Sequence, residues 1–258
     1  MKIFDTHAHY DDKAFDEDRD ILLSSMQQEI NIEKIVNVGA SIKSCKSTIA
    51  LTERYPFIYG AIGVHPEDVA HITEEDIMWL KEKSQLEKIV AIGEIGLDYY
   101  WDGVPKEVQQ KWFDRQLELA KEVKLPVIIH SRDAAQDTRD MLLSADAKNQ
   151  LNGIIHCYSY SKESARDYLN MGFYFGIGGV VTFKNAKKVK EAVSYIPLEN
   201  LVLETDCPYL APTPNRGERN SSLNIPYIAK EIAEIKGVSY EKVLDETYQN
   251  ANMVYRMN

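Results

Sequence analysis

Cysteine is scarce in this chain of 258 residues, which contains only Cys45, Cys157 and Cys207. Such an odd and sparse set argues against a disulfide framework and indicates a reducing compartment. The sequence also lacks any run of about 18 apolar residues. In addition, Asp5 follows too soon after the first residue for a secretory signal. We therefore expect a cytoplasmic protein without a membrane segment, in which Cys157 and Cys207 are packing residues.

Basic residues are also outnumbered by acidic ones: the chain has 30 Lys and Arg and 40 Asp and Glu, which gives a formal charge of -10. Proteins that bind nucleic acids usually carry a basic face. A nucleic-acid substrate nevertheless remains open, since two bound divalent cations beside two carboxylates would make a site locally positive by about two charges. Affinity would then come from a few phosphates, and it would depend only weakly on salt.

The chain has no Pro/Gly-rich linker and no low-complexity segment, so we expect one domain over residues 1–258. Short, mostly continuous apolar runs recur about every 30 residues, which is typical of buried parallel strands separated by helices. Helix-length segments fall between and after them at 106–123, 184–195, 226–236 and 240–256. The eight runs begin at Ile3, Ile35, Phe57, Ile89, Val127, Ile154, Phe173 and Leu201. This pattern predicts an α/β fold, a (β/α)8 TIM-like barrel.

Six side chains that bind divalent metals lie at or just past the ends of these runs. They are His7, His9, Glu94, His130, His156 and Asp206. In a (β/α)8 barrel the carboxyl ends of the strands share one mouth, so all six are expected to converge there. A single histidine after an apolar run is more often structural, but burying four histidines and two carboxylates together without a cation would incur a large desolvation cost. The sequence therefore predicts a metal site.

The number of ligands indicates two ions, since one four-coordinate catalytic ion takes fewer protein ligands and keeps an open position. We expect Glu94 to bridge the ions, and Asp206 to act also as a general base. Two ions about 4 Å apart can activate a water and stabilise the oxygens of a phosphodiester. Imidazole and carboxylate ligands admit Zn, Mn, Mg or Ni. In the expected division, one ion takes His7, His9 and Asp206 and the other takes His130 and His156.

The sequence motifs around these residues resemble those of the TatD family of metal-dependent deoxyribonucleases, a branch of the amidohydrolase-like barrels. The resemblance is most specific in two motifs, GEIGLDY at 93–99 and ETDCPYLAP at 204–212. Further matching segments are FDTHAH at 4–9, GVHP at 63–66, HSR at 130–132 and HCYS at 156–159. The resemblance implies a TIM-like barrel and divalent-metal hydrolysis of DNA, often from single-stranded or 3′ ends, with the six ligands at the positions named above.

Two details qualify the resemblance. Related amidohydrolases bridge their metals with a modified lysine on strand four, whereas Glu94 takes that place here. The family pattern R-G-x-x-N-x-P reads RGERNSS at 216–222, so the final proline is missing and the shape of this loop is expected to differ.

Several further residues are candidates for binding substrate or supporting the ligands. His65 ends the third strand and is expected to contact a substrate phosphate. Arg132 and Arg216 are expected to bind phosphate through the guanidinium fork, although surface arginines are often only solvated. The aromatic residues at 99–101 either stack on bases or pack over helices.

Asp5 and Glu204 each lie two residues before a candidate ligand, on the same face of its strand. We expect both carboxylates to orient ligand imidazoles.

Two other functions stay open. A hydrolase of the same superfamily acting on a small amide, lactone or phosphotriester would share the fold and the metals. A metal-binding scaffold without activity would need a closed coordination shell.

Overall fold

The computed structural model describes residues 1–145 and 151–257. Within them, eight parallel strands lie in one sheet in chain order. An additional bridge between Ala8 and Cys207 joins the first strand to the segment after the last, and the sheet becomes a nearly closed barrel. This confirms the predicted TIM-like barrel. The strands are β1 (Ile3–Ala8), β2 (Ile32–Val38), β3 (Ile58–Ile62), β4 (Ile89–Asp98), β5 (Val127–Arg132), β6 (Gly153–Ile155), β7 (Tyr174–Ile177) and β8 (Leu201–Leu203).

Helices connect the strands and surround the barrel. Several begin with a side-chain cap; for example, Ser41 and Thr73 each form a capping box with the residue three positions later. No helix among the described residues combines the length and the apolar character needed to cross a bilayer. The helices are α1 (Arg19–Glu29), α2 (Ile42–Arg54), α3 (Glu74–Lys83), α4 (Lys106–Val123), α5 (Ala135–Ala145), α6 (Lys162–Asn170), α7 (Lys187–Tyr195), α8 (Ile225–Lys236) and α9 (Tyr240–Val254).

The core has two layers because successive strand residues face opposite sides of the sheet. One layer lies between the sheet and the helices and includes Cys207, fully buried as expected of a packing residue, whereas Cys157 is only partly buried. The other fills the barrel, where Phe4 packs with strand residues such as Val36 and with Tyr255 beyond α9. The Tyr255 hydroxyl donates to the carbonyl of Thr6 at 2.8 Å. The C-terminal segment therefore closes one end of the barrel and leaves the other end for polar side chains.

Three strands extend beyond the apolar runs from which they were predicted. Strand β4 continues past Ile92 to Asp98, and β1 and β5 include His7 and His130. The reason is that backbone pairing continues along the mouth, where β4 and β5 stay in register from Ile95 to Asp98. Three candidate ligands, His7, Glu94 and His130, thus lie within paired strands, whereas the other three lie just past strand ends. The helix predicted at 184–195 begins only at Lys187, since residues up to Ala186 form a turn after a short 3-10 helix.

A substitution at Gly96 on β4 tests the pairing of β4 with β5 at the mouth of the barrel. Gly96 has φ +147°, and a Cβ there would lie 1.9 Å from the carbonyl oxygen of His130 on β5. We expect Gly96→Ala to lower the free energy of unfolding by about 3 kcal/mol or more, because strain and a backbone clash add together. Gly103→Ala is the matched control, since an added Cβ there meets nothing within 4 Å. Urea unfolding of the two variants measures the difference, and equal stabilities would contradict this description of the strand pair.

Candidate metal centre

The two carboxylate oxygens of Glu94 face two different pairs of histidines. Oε2 lies 3.5 Å from Nε2 of His7 and 3.9 Å from Nε2 of His9. Oε1 lies 2.8 Å from Nδ1 of His130 and 3.8 Å from Nε2 of His156. Glu94 thus lies between the two pairs of histidines that the sequence analysis assigned to separate ions, although His156 also stacks on His7.

Asp206 lies beside both sets. Its Oδ1 is 3.3 Å from Nε2 of His9, 3.8 Å from Nε2 of His7 and 3.7 Å from Nε2 of His156. The residue follows β8 with φ +57°, a conformation that aspartate tolerates better than most residues. Its backbone N–H donates to the carbonyl of His7 at 2.9 Å, which fixes this turn against β1.

A hydrogen bond on the far side of the His9 ring, and a nearby carboxylate on the far side of the His156 ring, direct lone pairs into the site. Nδ1 of His9 donates to the carbonyl of Val38 at 2.8 Å, so a neutral His9 has its lone pair on Nε2. Nδ1 of His156 lies 3.1 Å from Oε1 of Glu204, which favours the same tautomer. The inward Nε2 atoms are the atoms that a divalent ion would use.

The His7 ring places ring nitrogens where a cation could bind. Its Nε2 lies 3.1 Å from Nε2 of His9, and the ring stacks on His156 at 3.5 Å between centroids. Its Nδ1 is buried and has no hydrogen-bond partner among the described residues. With the His9 lone pair directed inward, a proton or a metal ion must lie between these two nitrogens. The donor set therefore fits a cation.

Burial and charge act against each other at these groups. Burial raises the pKa of Glu94, but His156, His130 and His7 outweigh it and hold that pKa well below its usual range. Burial lowers the pKa of His156, yet Glu204 and the two site carboxylates raise it to about 10. The carboxylates thus attract positive charge, and protons and metal ions would compete for the same nitrogens.

His130 departs from the expected arrangement. Besides its contact with Glu94, its Nε2 lies 2.9 Å from Oδ2 of Asp98, so both ring nitrogens face a carboxylate. An ion on Nε2 would therefore have to share this position with Asp98, a residue that the sequence analysis missed. Its place four residues after Glu94, on the same face of one strand, was the available signal.

His65 lies at the rim of the same cluster. Its Nδ1 accepts the backbone N–H of Glu67 at 3.3 Å, so a neutral ring carries its proton on Nε2, 4.0 Å from Oε1 of Glu94. Burial, followed by the charge of His130, lowers the pKa of His65 to about 4. The ring is therefore a neutral hydrogen-bond donor at the mouth, a suitable group for the phosphate contact expected of it.

Both candidate phosphate-binding arginines are exposed, and neither forms an ion pair with a described carboxylate. The guanidinium of Arg132, at the end of β5, lies 3.8 Å over the ring of Tyr100. That of Arg216 lies 4.3 Å over the ring of Phe183. Each guanidinium group thus stacks on an aromatic ring, and its positive charge remains available to bind an anion.

The two supporting carboxylates differ in what they contact. Glu204 lies beside His156 as expected, and it also accepts the backbone N–H of Cys157 at 2.6 Å. Asp5 instead accepts the hydroxyls of Thr205 at 2.7 Å and Ser222 at 2.6 Å, together with the backbone N–H groups of Thr205 and His7. Its expected role in orienting an imidazole is wrong: Asp5 joins the end of β1 to the segments after β8.

Glu204 offers a test of how His156 is held. We expect Glu204→Gln to weaken metal binding by about 10-fold to 100-fold, because a neutral amide supports the His156 tautomer less well. Isothermal titration of chelated protein with Mn²⁺ measures the effect, and thermal unfolding shows whether the variant is folded. Glu199→Gln, at an exposed glutamate, is the control. A folded Glu204→Gln protein with wild-type affinity would contradict the positioning role.

Comparison with known proteins identifies relatives of the whole chain. A family model described as TatD related DNase matches residues 4–256. YabD of Bacillus subtilis (strain 168), called an uncharacterized metal-dependent hydrolase, is 46% identical over 256 residues, covering 99% of this chain and 100% of that protein. YcfH of Escherichia coli (strain K12), described in the same words, is 30% identical over 268 residues, covering 100% and 97%.

A solved structure leads to the same family. The crystal structure of YjjV, a TatD homologue from Escherichia coli K12, matches with a TM-score of 0.92 and 28% identity, covering 99% of this chain and 98% of that one. The family model, the relatives and the fold span nearly the whole chain. The chain therefore belongs to the TatD family of metal-dependent hydrolases.

Proposed function

We propose that this hydrolase cleaves phosphodiester bonds of DNA with two divalent ions, Mg, Mn or Zn, held on the two sides of Glu94. The observation that carries the proposal is the division of the Glu94 oxygens between two pairs of histidines. The family description, TatD related DNase, supports DNA as the substrate. Removal of nucleotides from single-stranded or 3′ ends is part of the proposal and rests on the family resemblance alone.

The proposed ligand sets follow the contacts of Glu94. Glu94 is shared, and Asp206 lies close enough to both pairs of histidines to complete the first set. Two ions in such a site supply Lewis acidity, which lowers the pKa of a water and offsets negative charge on the phosphate. The first set is His7, His9 and Asp206, and the second is His130 and His156.

The remaining chemistry belongs to side chains of the chain itself. Asp206 is proposed to accept the proton of the attacking water at Oδ1, which lies within 4 Å of three imidazoles. Burial raises the pKa of this carboxyl, but the histidines outweigh burial and hold the pKa below the usual range, so the group is ionised and able to accept a proton. Nε2–H of His65 is proposed to donate to a phosphate oxygen. Arg132 and Arg216 are proposed to bind flanking phosphates without regard to sequence.

The alternative substrates are a small amide, lactone or phosphotriester. Strand β4 contains no lysine, and a carboxylate occupies the position beside the histidines. This favours the branch that includes the TatD nucleases over amidohydrolases that use a modified lysine. A scaffold without activity is disfavoured, because both arginines beside the mouth lack carboxylate partners among the described residues.

The substrate class is tested by comparing end-labelled single-stranded DNA with panels of small esters, lactones and amides, using protein loaded with each metal in turn. We expect metal-dependent cleavage of DNA that is faster than turnover of any small substrate. Exhaustive chelation should abolish cleavage and lower the melting temperature, because ions that bind only the folded state stabilise it. Turnover of a small ester or amide without DNA cleavage would replace the proposed function with the alternative.

The general base is tested with Asp206→Asn, which keeps the shape of the side chain but removes its charge and basicity. We expect kcat to fall by at least about 100-fold, the low end of general-base effects. Asp114→Asn, at an exposed position on α4, is the control. Metal content is measured by elemental analysis in both variants. An Asp206→Asn protein with normal metal content and near wild-type kcat would rule out this role.

A further inference from the structure

Two large aromatic side chains are exposed next to the metal centre. Tyr100 is 52% exposed and Trp101 is 50% exposed, in the loop that follows β4. Their rings contact each other edge to face, with 4.7 Å between centroids. Adjacent aromatic rings left in solvent usually mark a binding surface, because burying them would otherwise stabilise the fold.

Tyr99, the first residue of the aromatic run, differs from the other two. Its hydroxyl donates to Asp137 at 2.7 Å and accepts from Gln110 at 2.8 Å, and Lys106 lies 4.2 Å over its ring. Tyr99 thus packs between α4 and α5. The structure separates a structural tyrosine from two exposed rings that the sequence could not distinguish.

Arg132 and Asp98 join these exposed rings to the site. The guanidinium of Arg132 lies 3.8 Å over the Tyr100 ring and 5.7 Å from the Trp101 ring. One oxygen of Asp98 accepts the backbone N–H of Tyr100 at 2.9 Å, and the other lies 2.9 Å from His130. The rings are therefore held close to the centre by a carboxylate that also contacts one of its histidines.

We propose that Tyr100, Trp101 and Arg132 form a platform on which an unpaired base of the substrate stacks next to the scissile phosphate. The inference rests on the proposed function and deepens it by naming the side chains that contact an unpaired base. The Tyr100 ring contacts the guanidinium of Arg132 and packs edge to face against Trp101. The exposed indole of Trp101 provides the stacking surface. The guanidinium remains free to bind the phosphate that joins this base to its neighbour.

Charge and shape favour a nucleic-acid strand as the occupant. A ligand at this platform should be both aromatic and anionic, because rings and an arginine without a carboxylate partner lie side by side. Asp102, next in the chain, contributes a negative charge, so stacking must supply most of the affinity at Trp101. Bases in a duplex hide their faces in the helical stack, whereas unpaired bases expose them.

The platform is tested with Trp101→Ala and two forms of one single-stranded oligonucleotide. One form is normal, and the other is abasic at the residues next to the cleaved bond. On the normal strand we expect KM to rise by about 5-fold to 150-fold, the range for loss of one stacked base, with a smaller change in kcat. On the abasic strand, wild type and variant should have the same KM. Trp101→Phe should restore most of the affinity for the normal strand.

Tyr195→Ala is the matched control, since this half-exposed tyrosine ends α7 and therefore lies toward the opposite end of the barrel. It should leave KM unchanged on both strands. An equal loss on the normal and abasic strands, or no loss on either, would overturn the platform while DNA hydrolysis by the wild type stands. A wild-type protein that cleaves small esters but neither strand would overturn the proposed function and the platform together.

Discussion

The Glu94 carboxylate is ionised inside the mouth of the barrel, where it is only 4% exposed. A buried charge of this kind is strongly unfavourable unless it is neutralised and hydrogen-bonded. Here the compensation comes from imidazoles on β1, β5 and the segment after β6, which explains why histidines converge from several strands on one carboxylate. The same constraint gives the site its affinity for cations, because the negative charge is fixed by the strand backbone and cannot turn to solvent.

Backbone geometry keeps this charge in place. A Cβ at Gly93, directly before Glu94, would lie 2.6 Å from Cβ of Ile128, so β4 can approach β5 this closely only with glycine there. On the other side, Asp5 joins β1 to the segments after β8 through three hydrogen bonds. The spacing between His7, Glu94 and Asp206 is thus set by strand pairing and by a buried carboxylate.

Much of this arrangement follows from the sequence. Continuous apolar runs at regular spacing predict a parallel barrel, and polar residues at their ends predict one mouth; the structure shows both. Periodicity could not show that Asp98 contacts His130, because strand β4 extends beyond its apolar run. Nor could it give the role of Asp5, since alternation places a side chain on a face without naming its partner. Tyr99 and Tyr100 are neighbours of one residue type, and only tertiary packing distinguishes them.

The central claim is that Glu94 bridges two ions, and anomalous diffraction from crystals grown with Mn²⁺ tests it most directly. The account predicts two anomalous peaks about 4 Å apart, with one Glu94 oxygen directed at each. One peak should have His7, His9 and Asp206 around it, and the other His130 and His156. A single peak in fully active protein, or two peaks that Glu94 does not join, would contradict the account.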